Sequence, residues 1–151
     1  MSLPEPRPKT AFERSVTIAR PIDDVWFLMT DWSRAAAWWP RVLEVEGPTP
    51  VGSGDMLTFS YQGTPASATV DIADEPIRLV IRRVNGPAVA TFGYRLEAHS
   101  DSTTVSLHAE LVAEQALRVV APLLRLALAR TDRHQLDLLK RLAEGPEQPP
   151  S

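Results

Sequence analysis

Apolar residues recur at helical spacing near the C-terminal end of the chain, from Gln115 to Glu144. Spacings of three and four residues place them on one face of a helix and leave charged residues on the opposite face. We therefore predict a single long amphipathic helix. Its apolar positions are Leu117, Val120, Leu124, Leu128, Leu138, Leu139 and Leu142. The charged positions opposite them are Arg118, Arg125, Asp132, Arg133, Asp137 and Lys140.

Two polar residues interrupt this apolar face. Thr131 and Gln135 lie one helical turn apart in its middle, and His134 lies on its flank as an ordinary surface histidine or a further pocket residue. A buried hydroxyl or amide without a partner costs roughly 1 to 3 kcal/mol, so each requires a protein group, a water molecule or a ligand. We identify Thr131 and Gln135 as candidate ligand contacts. Alternatively, Thr131 bonds to the helix carbonyl four residues earlier and Gln135 caps a sheet edge.

The segments before this helix alternate between apolar and polar residues, which is typical of strands with one buried face. Glycine, proline and acidic residues separate them, as expected for turns. Two short helical segments, Pro21 to Thr30 and Ser33 to Trp39, follow the first strand. The seven predicted strands are 12–19, 42–46, 55–62, 66–73, 77–84, 88–98 and 103–112. This order predicts an α+β fold whose sheet is an antiparallel meander from the second strand onward.

Strand alternation also predicts which side chains face the long helix. Packing in the core is the ordinary interpretation of each, because a half-buried sheet requires apolar residues at every second position. The predicted inward set is Ala68, Val70, Leu79, Ile81, Phe92, Tyr94, Leu96, Val105, Leu107, Ala109 and Leu111. On the third strand, Phe59 and Tyr61 share one face, opposite Met56. Alternation alone leaves open which of these two faces is inward.

Four tryptophans lie between residues 26 and 39. Trp26 shares a helix face with Met29, so we interpret it as part of the core. A segment this short is not expected to bury Trp32, Trp38 and Trp39 together. We expect Trp38 and Trp39 to contribute to an aromatic rim at a binding site, with plain packing as the alternative.

The composition indicates one domain without thiol or metal chemistry. With 151 residues, 44% of them hydrophobic, the chain is long enough for one core and short for two. We expect the domain to span residues 11–144, with disordered proline-rich tails at 1–10 and 145–151. The chain has no cysteine and only three scattered histidines. We therefore predict no disulfide, no metal site and no bound cofactor.

Charge and hydropathy limit the expected partners. The net charge is −3 and the basic residues are spread along the chain, so nucleic acid is not an expected partner. No apolar run approaches the roughly 20 residues that span a bilayer, and the first ten residues lack the apolar segment of a secretion signal. We expect a cytoplasmic protein without stable membrane insertion, either a monomer or a homodimer.

A distinctive order of residues runs through positions 12–47. A strand is followed by Pro, an acid, Val-Trp, an Asp, and then Trp-Pro before the second strand. These residues are Pro21, Asp24, Val25, Trp26, Asp31, Trp39 and Pro40. Later segments that continue the pattern include Gly52-Ser53-Gly54, Asp74-Glu75-Pro76 and Asp101-Ser102-Thr103. Over about residues 12–144, the chain resembles the START-like superfamily, also called SRPBCC, and within it the polyketide cyclase/dehydrase and lipid-transport group.

This resemblance implies a helix-grip fold, in which a curved seven-stranded antiparallel sheet wraps the C-terminal helix and leaves a cavity for a hydrophobic ligand. Members include lipid carriers, polyketide aromatase/cyclases and proteins without an established activity, so membership implies no particular reaction. Small residues assigned to the inner face, such as Ala66, Ala68 and Ala90, leave room for such a cavity.

Strand alternation places the charged residue Arg83 on the same face as Leu79 and Ile81. It either points toward the cavity mouth, where it could pair with an anionic ligand head, or reaches solvent at the strand end. Tyr61 and Tyr94 would add phenol hydroxyls. The candidate ligand contacts are Trp38, Trp39, Tyr61, Arg83, Phe92, Tyr94, Leu107, Leu128, Thr131 and Gln135.

Three functions are compatible with these features. The first is binding of a lipid, an isoprenoid or a polyketide-like aromatic molecule in the cavity. The second is a cyclase/aromatase-type enzyme, which requires several polar groups, among them Tyr94, Gln135 and Arg83, to converge on one point. The third is a protein-interaction module, which a filled core would favour. No Ser-His-Asp arrangement or phosphate loop stands out in the sequence, so no catalytic residue is assigned.

Overall fold

The computed structural model describes residues 9–85, 88–113 and 119–145. Seven strands form one antiparallel sheet in the order β1-β7-β6-β5-β4-β3-β2. The strands are β1 (Lys9–Ile18), β2 (Val42–Glu46), β3 (Met56–Tyr61), β4 (Thr64–Asp74), β5 (Arg78–Asn85), β6 (Ala88–His99) and β7 (Ser102–Ala113). The helices are α1 (Ile22–Met29), a 3₁₀ helix (Trp32–Ala37), α2 (Ala121–Asp132) and α3 (Gln135–Glu144). The predicted α+β helix-grip architecture is confirmed.

Irregular strand pairing adds curvature to the sheet. The register of β4 against β5 shifts between Val70 and Ile72, and similar shifts occur in β1 and β2. An extra residue in one strand bends it and increases its twist. Beyond the shift, Ala73 pairs with the fully buried Leu79 and packs on the core. The bent sheet can therefore curve around the helices instead of lying flat beneath them.

The predicted single C-terminal helix is instead two helices. Helix α2 ends at Asp132 and α3 begins at Gln135, and His134 between them has φ −94° and ψ 3°. A residue within a helix has ψ near −42°, so the helix is interrupted at this point. The predicted positions 115–118 lie outside the described residues. In the part of the chain that is described, no helix is both long and apolar enough to cross a bilayer.

The interruption changes which polar residues are buried. Asp132 is only 1% exposed, so its predicted place on the solvent face is wrong. Gln135 is 2% exposed, as predicted for a residue of the apolar face. The turn at residues 133–134 directs the end of α2 and the start of α3 toward the sheet. Two buried polar side chains therefore lie side by side and require polar partners.

The core lies between the inner face of the sheet and the helices α1 and α3. Every residue of the predicted inward set is buried, and so is Trp26 on α1. Helix α3 contributes the fully buried Leu136 and Leu139. On α2, by contrast, Leu124 and Leu128 are only partly buried. The layer beneath α2 is therefore less completely filled than the layer beneath α3.

The tryptophan corner is part of this core. Trp32, Trp38 and Trp39 are all buried, so the expected aromatic rim is wrong. The rings pack edge to face, with centroids 5.6 Å apart for Trp38 and Trp39, 5.7 Å for Trp38 and Tyr94, and 6.4 Å for Trp39 and Phe59. A short segment can bury three indoles because they pack on one another and on the sheet.

The inner face of β3 is the one that carries Phe59 and Tyr61. Leu57 and Phe59 are buried, and Tyr61 is partly buried against the core. Met56 on the opposite face is 60% exposed. Alternation alone left the inward face of β3 open, and the structure places Phe59 and Tyr61 on it.

Candidate ligand cavity

A cavity of about 320 Å³ lies between α2 and the inner face of the sheet. Its sheet wall includes the small residues Ala66, Ala88 and Ala90, and its helix wall includes Leu124, Leu128 and Thr131. Small side chains on the sheet and partly buried leucines on α2 leave the space between them unfilled. The cavity therefore lies where the core is least complete.

An ion pair forms part of the cavity wall. Arg83 on β5 points inward, and its Nη2 lies 3.3 Å from Oδ2 of Asp132 at the end of α2. The guanidinium also stacks on aromatic rings, with its Cζ 4.6 Å from the centroid of Phe92 and 5.5 Å from that of Tyr61. Cation–π contacts at these distances are favourable. The alternative that Arg83 reaches solvent at the strand end is wrong, because its side chain is only 14% exposed.

Two further side chains extend the ion pair into a buried polar network. Gln135 Nε2 donates a hydrogen bond of 2.8 Å to Asp132 Oδ1, and the Tyr94 hydroxyl donates to Gln135 Oε1. The amide of Gln135 is thus satisfied by the side chains of Asp132 and Tyr94, and the alternative that it caps a sheet edge is wrong. Four side chains, one each from β5, β6, α2 and α3, are thus connected. We call them the Arg83–Tyr94 network, which consists of Arg83, Asp132, Gln135 and Tyr94.

Burial changes the ionisation of the tyrosine in this network. Burial raises the pKa of Tyr94 well above its usual value, and the negative charge of Asp132 raises it further, whereas Arg83 lowers it. The hydroxyl therefore stays protonated and donates to Gln135 throughout the physiological range. Because the folded state holds the proton more tightly, stability contributed by Tyr94 is present below its unfolded pKa and is lost as the pH rises above that value.

We expect folded wild-type protein and the Tyr94→Phe variant to give the same tyrosinate absorbance change on titration to about pH 11. Because Tyr94 is expected to stay protonated in the folded protein, removing its hydroxyl should not reduce the absorbance change. In denaturant the wild type should give twice the change of the variant, because the chain has two tyrosines. A larger change in the folded wild type than in the folded variant would contradict the burial of a neutral Tyr94.

The remaining candidate residues divide between the cavity wall and the core. Tyr61, Leu128 and Thr131 line the cavity, and Phe92 lies beneath Arg83. The buried side chains of Trp38, Trp39 and Leu107 lie in the core instead of in the cavity wall. The side chain of His134 is 55% exposed and lies near Asp137 on the surface.

Asp132 is the polar wall residue that the sequence prediction missed. No local signal identified it, because the periodicity of an uninterrupted helix places Asp132 with the charged residues. Among the described residues, no group of three or more histidine and carboxylate side chains is arranged to hold a metal ion.

Comparison with known proteins places this architecture in a family. The family profile for "Polyketide cyclase / dehydrase and lipid transport" matches residues 9–144. The chain belongs to this family. The resemblance predicted over about residues 12–144 is thereby confirmed. A search of curated proteins found no match.

Several solved structures are similar to this chain in fold. Norcoclaurine synthase from Thalictrum flavum has a TM-score of 0.68 and 13% identity, covering 97% of this chain and 100% of that one. Ara h 8.0201 has a TM-score of 0.70 and 11% identity, covering 93% of this chain and 100% of that one. The di-domain ARO/CYC BexL from the BE-7585A biosynthetic pathway has a TM-score of 0.69 and 21% identity, covering 95% of this chain and 51% of that one. At these identities the likeness shows the fold alone.

Proposed function

We propose that this family member binds a hydrophobic small molecule in the cavity between the sheet and α2. The observation that supports the proposal is a cavity whose wall is mostly apolar and carries one organised polar feature, the Arg83–Asp132 pair. Ligand sites commonly combine apolar walls with a few fixed polar groups, which orient the ligand. The third function, an interaction module, would be favoured by a filled core, and this core is not filled beneath α2.

The size of the cavity favours a compact ligand. Its volume of about 320 Å³ corresponds to about ten water molecules at ~30 Å³ each. A molecule of a few fused rings or a short isoprenoid fits this space better than a lipid with two acyl chains. Within the classes considered from the sequence, we therefore favour a polyketide-like aromatic or an isoprenoid.

Native mass spectrometry of the protein purified from its own host tests this proposal. We expect a discrete adduct that denaturing extraction releases as a hydrophobic compound. The variant Ala66→Phe, which fills the cavity wall, is expected to lower adduct occupancy by about tenfold or more, because the ring occupies the space of the ligand.

The same substitution at an exposed position provides the control. Ala36 lies on the outer side of the 3₁₀ helix, away from the cavity, so Ala36→Phe should retain the adduct. A wild-type protein that carries no adduct, and that no panel of lipids and aromatic compounds stabilises against heat, would refute the binding proposal.

A cyclase/aromatase-type reaction is the second candidate, and the Arg83–Tyr94 network favours it. The enzyme hypothesis requires several polar groups at one point, and four side chains from separate elements meet here. Arg83 lines the cavity, and the remaining N–H groups of its guanidinium could donate hydrogen bonds that polarise the carbonyl of a neutral polyketone. If they do, Arg83→Gln should lower kcat for a cyclisable polyketone by about 100-fold. Unchanged turnover in this variant would exclude Arg83 as the residue that carries the reaction.

A further inference from the structure

The positive charge of Arg83 is already matched by a carboxylate of the same chain. Asp132 Oδ2 lies 3.3 Å from Arg83 Nη2, and the two side chains are 1% and 14% exposed. Opposite charges attract strongly where water is largely excluded. The pair therefore presents little net charge to the cavity, and Arg83 is not a free cation waiting for an anionic ligand head.

The position of Asp132 is constrained by its neighbours. Its second oxygen, Oδ1, accepts a hydrogen bond of 2.8 Å from Gln135 Nε2, and Gln135 in turn accepts one from Tyr94. Arg83 is held at the other end by stacking on Phe92. A buried network in which each member has a partner fixes the orientation of its side chains. Asp132 therefore cannot turn away from the cavity without leaving buried groups unpaired.

An anionic ligand would meet this carboxylate as well as the guanidinium. A carboxylate or phosphate bound to Arg83 would be repelled by Asp132, since like charges at close range destabilise each other. A neutral acceptor such as a ketone, ester or phenol can accept from the remaining N–H groups of Arg83 without adding charge. Arg41 also lines the cavity, but it is exposed, so solvent and salt screen its charge.

We infer that Asp132 is a specificity-determining residue that excludes anionic ligands, so that the cavity accepts a neutral hydrophobic molecule with a hydrogen-bond acceptor. This inference rests on the proposed binding function and narrows its ligand class. It replaces the expectation that Arg83 pairs with an anionic head.

A matched pair of probes tests the inference. The compounds 2-acetylnaphthalene and 2-naphthoate share one ring system and differ in carrying a neutral methyl ketone or an ionised carboxylate near neutral pH. Titration calorimetry should show that the wild type binds the ketone at least about tenfold more tightly, a difference of about 1.4 kcal/mol. Asp132→Asn keeps the shape and removes the charge, and is expected to raise the affinity for naphthoate by about tenfold while changing the ketone affinity little.

The same substitution on another acid is the control. Asp137 on α3 is 44% exposed and pairs with Arg14 away from the cavity, so Asp137→Asn should leave both affinities unchanged. If Asp132→Asn does not fold, the inference is tested by the preference of the wild type for the ketone over naphthoate and by the double variant Arg83→Gln/Asp132→Asn. With both charges removed, the double variant should show no gain in naphthoate affinity over the wild type.

The outcomes separate the inference from the proposed function. A wild type that binds naphthoate as tightly as the ketone overturns the exclusion by Asp132 and leaves the binding function standing. If the protein binds neither probe and no member of a panel of neutral and anionic hydrophobic compounds, both the exclusion by Asp132 and the proposed binding function are refuted.

Discussion

Replacing Asp132 with alanine is expected to lower the free energy of unfolding by about 3 kcal/mol. The substitution leaves the guanidinium of Arg83, only 14% exposed, without its carboxylate, and it removes the acceptor of the Gln135 amide. An uncompensated charge and an unpaired amide in a buried setting are each unfavourable. Urea denaturation followed by circular dichroism measures the loss.

Two further variants identify the cause of this loss. The double variant Arg83→Met/Asp132→Leu removes both charges and should recover most of the stability, because well-packed apolar residues often replace a buried ion pair without cost. Asp137→Ala breaks an exposed pair with Arg14 and should cost less than about 1 kcal/mol. If Asp132→Ala lowered the free energy of unfolding as little as Asp137→Ala does, the buried ion pair would contribute no more to stability than an exposed one.

Truncation of Trp38 to alanine is expected to cost about 4 kcal/mol of the free energy of unfolding. Trp38 is fully buried and packs edge to face on both Trp39 and Tyr94. Its indole N–H makes no hydrogen bond within the described residues, so the expected loss is one of packing and apolar burial. Thermal or urea denaturation of the variant measures it.

An exposed aromatic residue nearby is the control. Phe27 on α1 is 68% exposed, and Phe27→Ala should change the stability by no more than about 0.5 kcal/mol. If Trp38→Ala were tolerated as well as Phe27→Ala, the contribution of Trp38 to the packed core would be refuted.

The number of strands, their order along the chain and the inward faces of β4 to β7 could be predicted from local patterns. A period of two assigns alternate residues to opposite faces, and the longest strands, β6 and β7, follow it over most of their length, so every residue predicted to face inward on them is buried. The order and spacing of the residues from Pro21 to Trp39-Pro40, together with later segments such as Asp74-Glu75-Pro76, indicated the family.

Burial at the tryptophan corner and on β3 depended on contacts between distant segments. Periodicity shows that Phe59 and Tyr61 share a face, but which face is inward depends on the layer that packs against it. Trp39 supplies that layer for Phe59. Trp38 is likewise covered by Tyr94, a residue of β6, which no count of local segment length could reveal.

The candidate site itself depends most on tertiary structure. Helical periodicity placed Thr131 and Gln135 inward, yet it placed Asp132 outward, because a single uninterrupted helix was assumed. The interruption at His134 and the inward turn of Asp132 arise where α2 and α3 meet the sheet. Asp132 is buried because Arg83, 49 residues earlier in the chain, neutralises it, and Gln135 completes its hydrogen bonding. Local patterns record which residues can share a face, whereas the burial of a charge depends on a partner that only the folded chain brings within reach.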